Sequence, residues 1–172
     1  YFASDRAGGT GSYDLWTATR PSWALPFGTP TPVTELNTTV TDRDPWISLD
    51  GLTIVWASNR NTETNLFMAT RLTPTAPFGN IVELSALNST NSDFTPGFGI
   101  YHDDIFFCSQ RPGGLGTNDL WTARWTGITG NGLASTTSVR TLRFTDPGAP
   151  TLPYIACAAL GTSPGIPIDK RI

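Results

Sequence analysis

The chain has 172 residues, a net charge of −3 and only 15% charged residues, so it lacks the basic stripe that a nucleic-acid partner requires. No apolar run approaches the roughly 18 residues of a membrane span, and none is expected. A single His and two Cys without a CxxC pair offer no zinc ligand set; neither a metal nor a cofactor is expected. Cys108 and Cys157 read as small buried hydrophobes, with one disulfide as the alternative in an oxidising compartment.

The 17 Gly and 14 Pro punctuate short apolar segments, and the predicted class is all-β. YFAS at 1–4 opens the chain as a strand with no turn before it, followed by strands at 14–20 and 32–36. PWIS at 45–48 leads into a hairpin turn at Asp50-Gly51 and then a strand at 52–58. Further strands are expected at 65–70, 81–87, 105–109, 119–125, 139–144 and 153–157. Alternation of period two is poor in VWAS and FFCS, as in strands covered on both faces.

These segments repeat. SDR, SNR and SQR place Arg6, Arg60 and Arg111 at spacings of 54 and 51, while Leu15, Leu66 and Leu120 are spaced 51 and 54. The offset arises because the loops AGGTGSY and PGGLGTN are three residues longer than their middle counterpart. PFG (Pro26, Pro77), LN (Leu36, Leu87) and Pro45/Pro96 hold the period of 51. Four strands recurring about every 50 residues are the signature of propeller blades.

The run DPWISLDGLTIVWASNR, with SDRAGGTGSYDLW and SQRPGGLGTNDLW, resembles the TolB-type, WD40-like β-propeller repeat over residues 1–145. The third copy departs from it, having PGFGIYHDD where PWISLDGLT stands in the second. The sialidase Asp-box is a poorer match, because its Gly is separated from its Asp. The resemblance implies blades of four antiparallel strands, three per chain: 1–40, 41–90 and 91–145, with 158–172 as a tail. DPGAPTLPYIACAAL resembles TDRDPWISLDGL, so 152–157 is expected to supply the first blade's missing strand. Three blades are too few for a ring. Either two chains form a six-bladed homodimer by exchanging that strand, or the sequence is a fragment of a larger propeller. The resemblance further implies a bacterial periplasmic or extracellular interaction platform.

In such a fold Arg6, Arg60 and Arg111 would ring one mouth, beside Asp42, Arg43, Asp44 and Asp93. The arginines could clamp carboxylates or phosphates; alternatively, Arg–Asp pairs between adjacent blades would simply fix the loops. The glycine loops precede strands rather than helices, so they read as loop geometry and not phosphate cradles. Trp16, Phe67 and Trp121 are expected to pack between blades, while Trp23, Trp46 and Trp125 could stack on sugars. His102 beside Asp103 and Asp104 could be a base with its orienter, but no nucleophile motif accompanies it, and no catalytic residue is assigned. The expected function is non-enzymatic recognition of a protein or glycan, with a glycan-active propeller enzyme or a propeller lectin as the competing reading.

Overall fold

The computed structural model describes residues 1–99, 104–126, 139–145 and 154–158, with 125–126, 139–145 and 154–158 as backbone alone. Among the described residues every regular element is a strand, as expected. Sheet I contains β1 (Phe2–Ser4), β2 (Asp14–Thr17) and β3 (Thr31–Pro32). Sheet II contains β4 (Asp42–Ile47), β5 (Thr53–Asn61), β6 (Glu63–Thr70) and β7 (Gly79–Glu83) in that order. Sheet III contains β8 (Asp93–Phe98), β9 (Asp104–Ser109), β10 (Asp119–Thr126), β11 (Val139–Thr145) and β12 (Tyr154–Ala158). Neighbouring strands are antiparallel throughout.

The hairpin joining β4 to β5 forms where Asp50-Gly51 predicts it. Gly51 adopts a φ of 70°, in the left-handed region that glycine enters without steric penalty. The Ser48 hydroxyl donates to Asp50 Oδ1 (2.5 Å) and accepts the Thr53 N–H (2.9 Å), while Asp50 Oδ1 accepts the Leu52 N–H (2.9 Å). The turn is thus closed by its own side chains.

Strand bounds differ from expectation in several places, and β2 stops at Thr17 rather than at Arg20. β4 begins at Asp42 rather than at Pro45, and β8 was not expected at all. Both strands carry a bulge, between Arg43 and Trp46 and between Phe94 and Gly97. Pro45 and Pro96 sit inside these bulges, where no ladder N–H is required of them. Sequence patterning stops at such a break, although the strand does not. Expected strands 32–36 and 81–87 are shorter, because Val33–Asn37 and Leu84–Asn88 curl into turns. There the Leu36 and Asn37 amides donate to Val33 O (3.0 and 3.2 Å), and the Leu87 and Asn88 amides to Leu84 O (2.7 and 3.0 Å).

β12 lies against β11, with Tyr154 opposite Arg143 and Ala158 opposite Val139. It is a fifth strand of sheet III. The segment at 152–157 therefore does not complete sheet I within the chain, where β1 pairs with β2 alone among the described strands.

The core lies between sheets. Ile54, Trp56 and Phe67 of sheet II, with Phe78 just before β7, pack with Leu15, Val33 and Leu36 from the first unit. Val55, Ala57 and Leu66 leave the opposite face of sheet II to pack with Ile105, Phe107 and Ala123 of sheet III. β5 is therefore buried on both faces, which explains its near-continuous apolar run TIVWA.

Candidate functional site

The candidate site residues gather where β4 meets the end of β5, and again where β8 meets the end of β9. Asp42 lies opposite Ser58, and Asp93 opposite Ser109. Arg60 follows β5's buried stretch, and its Nη2 donates to Asp42 Oδ1 at 2.6 Å and to Leu36 O at 2.8 Å. Its Nε donates to Ser58 Oγ at 2.9 Å. Its guanidinium covers the rings of Trp56 and Phe67 at 5.3 and 4.7 Å from their centroids. Asp42 is fully buried; its Oδ1 also accepts Trp56 Nε1–H (3.3 Å), and its Oδ2 accepts the amide and hydroxyl of Thr38 (2.6 and 2.7 Å).

The next unit repeats this arrangement. Arg111 Nη2 donates to Asp93 Oδ1 at 2.8 Å and to Leu87 O, and its Nε donates to Ser109 Oγ at 2.8 Å. Asp93 Oδ2 accepts the Ser89 amide and hydroxyl at 2.5 and 3.0 Å. Each arginine ties three segments together: its own strand, the aspartate strand beside it, and the preceding LN turn. The expected pairing between adjacent blades is corrected in one respect, because each Arg–Asp pair lies within a single sheet. Only the bond to the turn carbonyl reaches back to the preceding unit.

Arg6 is the exception. It keeps the bond from Nε to Ser4 Oγ (3.0 Å) and lies over Phe2 and Trp16. It is exposed and meets no carboxylate among the described residues. Asp44 also stands apart from the arginine latches. It adopts a φ of 55° in the β4 bulge, matching 52° at Thr95 in the β8 bulge. Its Oδ2 accepts the Thr95 amide at 3.2 Å and lies 3.8 Å from Arg43 Nε. The Arg43 and Asp44 side chains are 43% and 32% exposed, so this pair, unlike the latches, can be reached from solvent.

The glycine loops hold an anion belonging to the protein. In the first, the Thr10 and Gly11 amides donate to the Asp14 carboxylate at 3.0 to 3.2 Å. In the third unit Leu115 and Gly116 do the same for Asp119, at 3.2 Å. Gly9 and Gly114 lie so close to these carboxylates that a Cβ would fall 2.1 and 1.8 Å from an oxygen. The loops are nests filled from within, in keeping with loop geometry rather than phosphate binding.

Two asparagines escaped the sequence reading. Asn37 pairs with the amide and carbonyl of Leu15 (2.7 and 3.1 Å), and Asn88 with those of Leu66 (2.8 and 3.2 Å). Each side-chain amide stands in for the backbone of a strand that has turned away. The recurring LN pair was the available signal. Phe67, Trp16 and Trp121 are packing residues beneath the three arginines, whereas Trp23 is 90% exposed beside Arg20. Trp46 packs edge-on against Phe98. Cys108 is a free, half-buried thiol. His102 and Asp103 lie outside the described residues, as does the Trp125 side chain; Asp104 accepts Arg124 Nε–H at 3.1 Å. Among the described residues, no group of three or more His, Cys, Asp or Glu could hold a metal ion, and no helix is long and apolar enough to cross a membrane.

No protein-family model matches this chain, and no curated protein matches it either.

Proposed function

We propose that the chain is built from TolB-type, WD40-like propeller units. On this reading it acts as a non-enzymatic recognition module, taking a protein or glycan at the end of the sheets where the Arg6, Arg60 and Arg111 loops emerge. The observation that carries this reading is the division of labour among the charged groups. Both oxygens of Asp42 and of Asp93 are occupied by protein donors, which leaves none open to a substrate and makes Arg60 and Arg111 fasteners. Recognition then falls to polar groups the latches do not use, Arg43 and Asp44, in the β4 bulge that lies beside its twin in β8. Left-handed backbone at non-glycine residues tends to collect at binding sites, where surrounding structure sustains it. The family resemblance carries the setting, periplasmic or extracellular.

The test is a binding screen of the immobilised chain against a glycan array and a peptide library. A retained ligand whose affinity falls about tenfold in Arg43→Ala or Asp44→Ala, with the fold intact, supports the reading. A ligand indifferent to both substitutions, or one that is chemically converted, removes it.

A further inference from the structure

We infer that the Arg43–Asp44 pair binds a neutral carbohydrate, through two adjacent hydroxyl groups of one sugar ring. The inference rests on the recognition reading above and narrows it to one ligand class.

The pair is incomplete as it stands. Arg43 Nε is shielded from solvent without a hydrogen-bond partner among the described residues, and 3.8 Å separates it from Asp44 Oδ2, too far for a hydrogen bond. The guanidinium lies 5.9 Å from the centre of the Phe94 ring of β8, while 43% of the side chain remains exposed. Asp44 commits Oδ2 to the amide and hydroxyl of Thr95, at 3.2 and 3.4 Å. Its Oδ1 accepts no hydrogen bond among the described residues. A fork of donors therefore stands beside one unused acceptor.

This opening does not depend on what adjoins the first or last sheet. Asp44 is 32% exposed although sheet III packs beside β4. Thr95, its counterpart 51 residues on, is exposed although sheet II packs beside β8. The bulge position thus stays open with a sheet after it in one case and before it in the other. Arg43 itself leans on β8, inside the chain.

Charge and backbone together select the ligand. A carboxylate or phosphate would satisfy Arg43 but meet the like charge of Asp44, and an ammonium or guanidinium group would meet that of Arg43. What suits both is a neutral group that accepts and donates at adjacent atoms. A peptide carries such amides, but this strand edge gives it no ladder to join. Pro45 and Pro96 have no N–H, and the Thr95 amide is taken by Asp44. A hydroxyl oxygen is both donor and acceptor. Two neighbouring hydroxyls on a sugar ring can accept two guanidinium N–H groups while one of them donates to Asp44 Oδ1.

Retention of the full chain on immobilised mannan, galactan and dextran, on polygalacturonate and chitosan, and on a random peptide library tests the proposal. The expected result is retention by at least one neutral polysaccharide, lost when that polysaccharide is first treated with periodate. Periodate cleaves the C–C bond between carbons bearing adjacent hydroxyls, oxidising them to carbonyls as it is reduced to iodate. Binding should weaken about tenfold in Arg43→Lys, which keeps the charge without the fork. The same loss is expected in Asp44→Asn, which tolerates the φ of 55° at this position. Affinity should change less than about twofold between roughly 0.05 and 0.5 M salt, since no ion pair joins ligand to protein. Stronger retention by polygalacturonate, chitosan or peptides, still sensitive to both substitutions, overturns the inference and leaves the recognition reading standing. Retention that survives periodate also overturns the inference alone. No retention, or retention indifferent to both substitutions, removes the two together.

Discussion

Replacing Arg60 by Ala probes the latch most directly. The substitution leaves Asp42 fully buried, with Oδ1 held only by Trp56 Nε1 at 3.3 Å and Oδ2 still bonded to Thr38. It also strands Leu36 O and uncovers the rings of Trp56 and Phe67. Breaking a buried ion pair from one side costs about 3–5 kcal/mol. The remaining Thr38 bonds and the 17% exposure of Arg60 argue for the lower end, about 3 kcal/mol. For a chain of this size that corresponds to a fall in melting temperature of roughly 6–12 °C. Urea denaturation followed by tryptophan fluorescence is a suitable assay, since Trp56 lies directly beneath the substituted group. Arg6→Ala is the internal control: it sits at the same repeat position but is exposed and meets no carboxylate among the described residues, so its cost should stay below about 1 kcal/mol. Equal costs at Arg6 and Arg60 would refute the reasoning, because the aromatic cover and not the buried aspartate would then carry the energy. A double-mutant cycle with Asp42→Asn should show a coupling of more than about 1 kcal/mol.

Gly9→Ala should destabilise by about 1–3 kcal/mol, because its Cβ would fall 2.1 Å from Asp14 Oδ2; thermal unfolding reads this, and a neutral result would mean the loop can move aside. Asn88→Leu removes both bonds to the Leu66 backbone and should cost about 1–3 kcal/mol, with hydrogen exchange quickening at the Leu66 amide in particular. Thr95→Gly should leave stability unchanged or raise it by up to about 1 kcal/mol, since the left-handed backbone costs a β-branched residue more than glycine's added chain entropy. Asp44→Val, at the same backbone conformation in β4, should lower stability by about 1–3 kcal/mol in the same denaturation assay.

Where local chemistry and the repeat agreed, the fold was legible. Asp50-Gly51 marked a hairpin, and the spacing of Arg6, Arg60 and Arg111 marked equivalent positions whose latch partners could be guessed in kind. β8 was hidden because Phe94-Thr95-Pro96-Gly97 looks like a loop; its pairing survives only because a bulge absorbs the proline. The difference between Arg6 and its two counterparts was also hidden, since all three share the same local sequence and only the neighbouring strand separates them. Asn37 and Asn88 could be seen to recur, but nothing in their spacing says that a side-chain amide replaces a strand's backbone.

The twin bulges bear on how the sheets remain distinct. β4 and β8 are edge strands of successive sheets and lie in contact, an arrangement in which two exposed backbones could zip together. Pro45 and Pro96 remove an amide from each edge, and the φ reversals at Asp44 and Thr95 turn the adjoining backbone aside. The Thr95 amide is taken up by the Asp44 carboxylate rather than by a β4 carbonyl. One side chain thereby insulates one sheet from the next, so that two hydrogen-bonded surfaces can touch without fusing into a single continuous one.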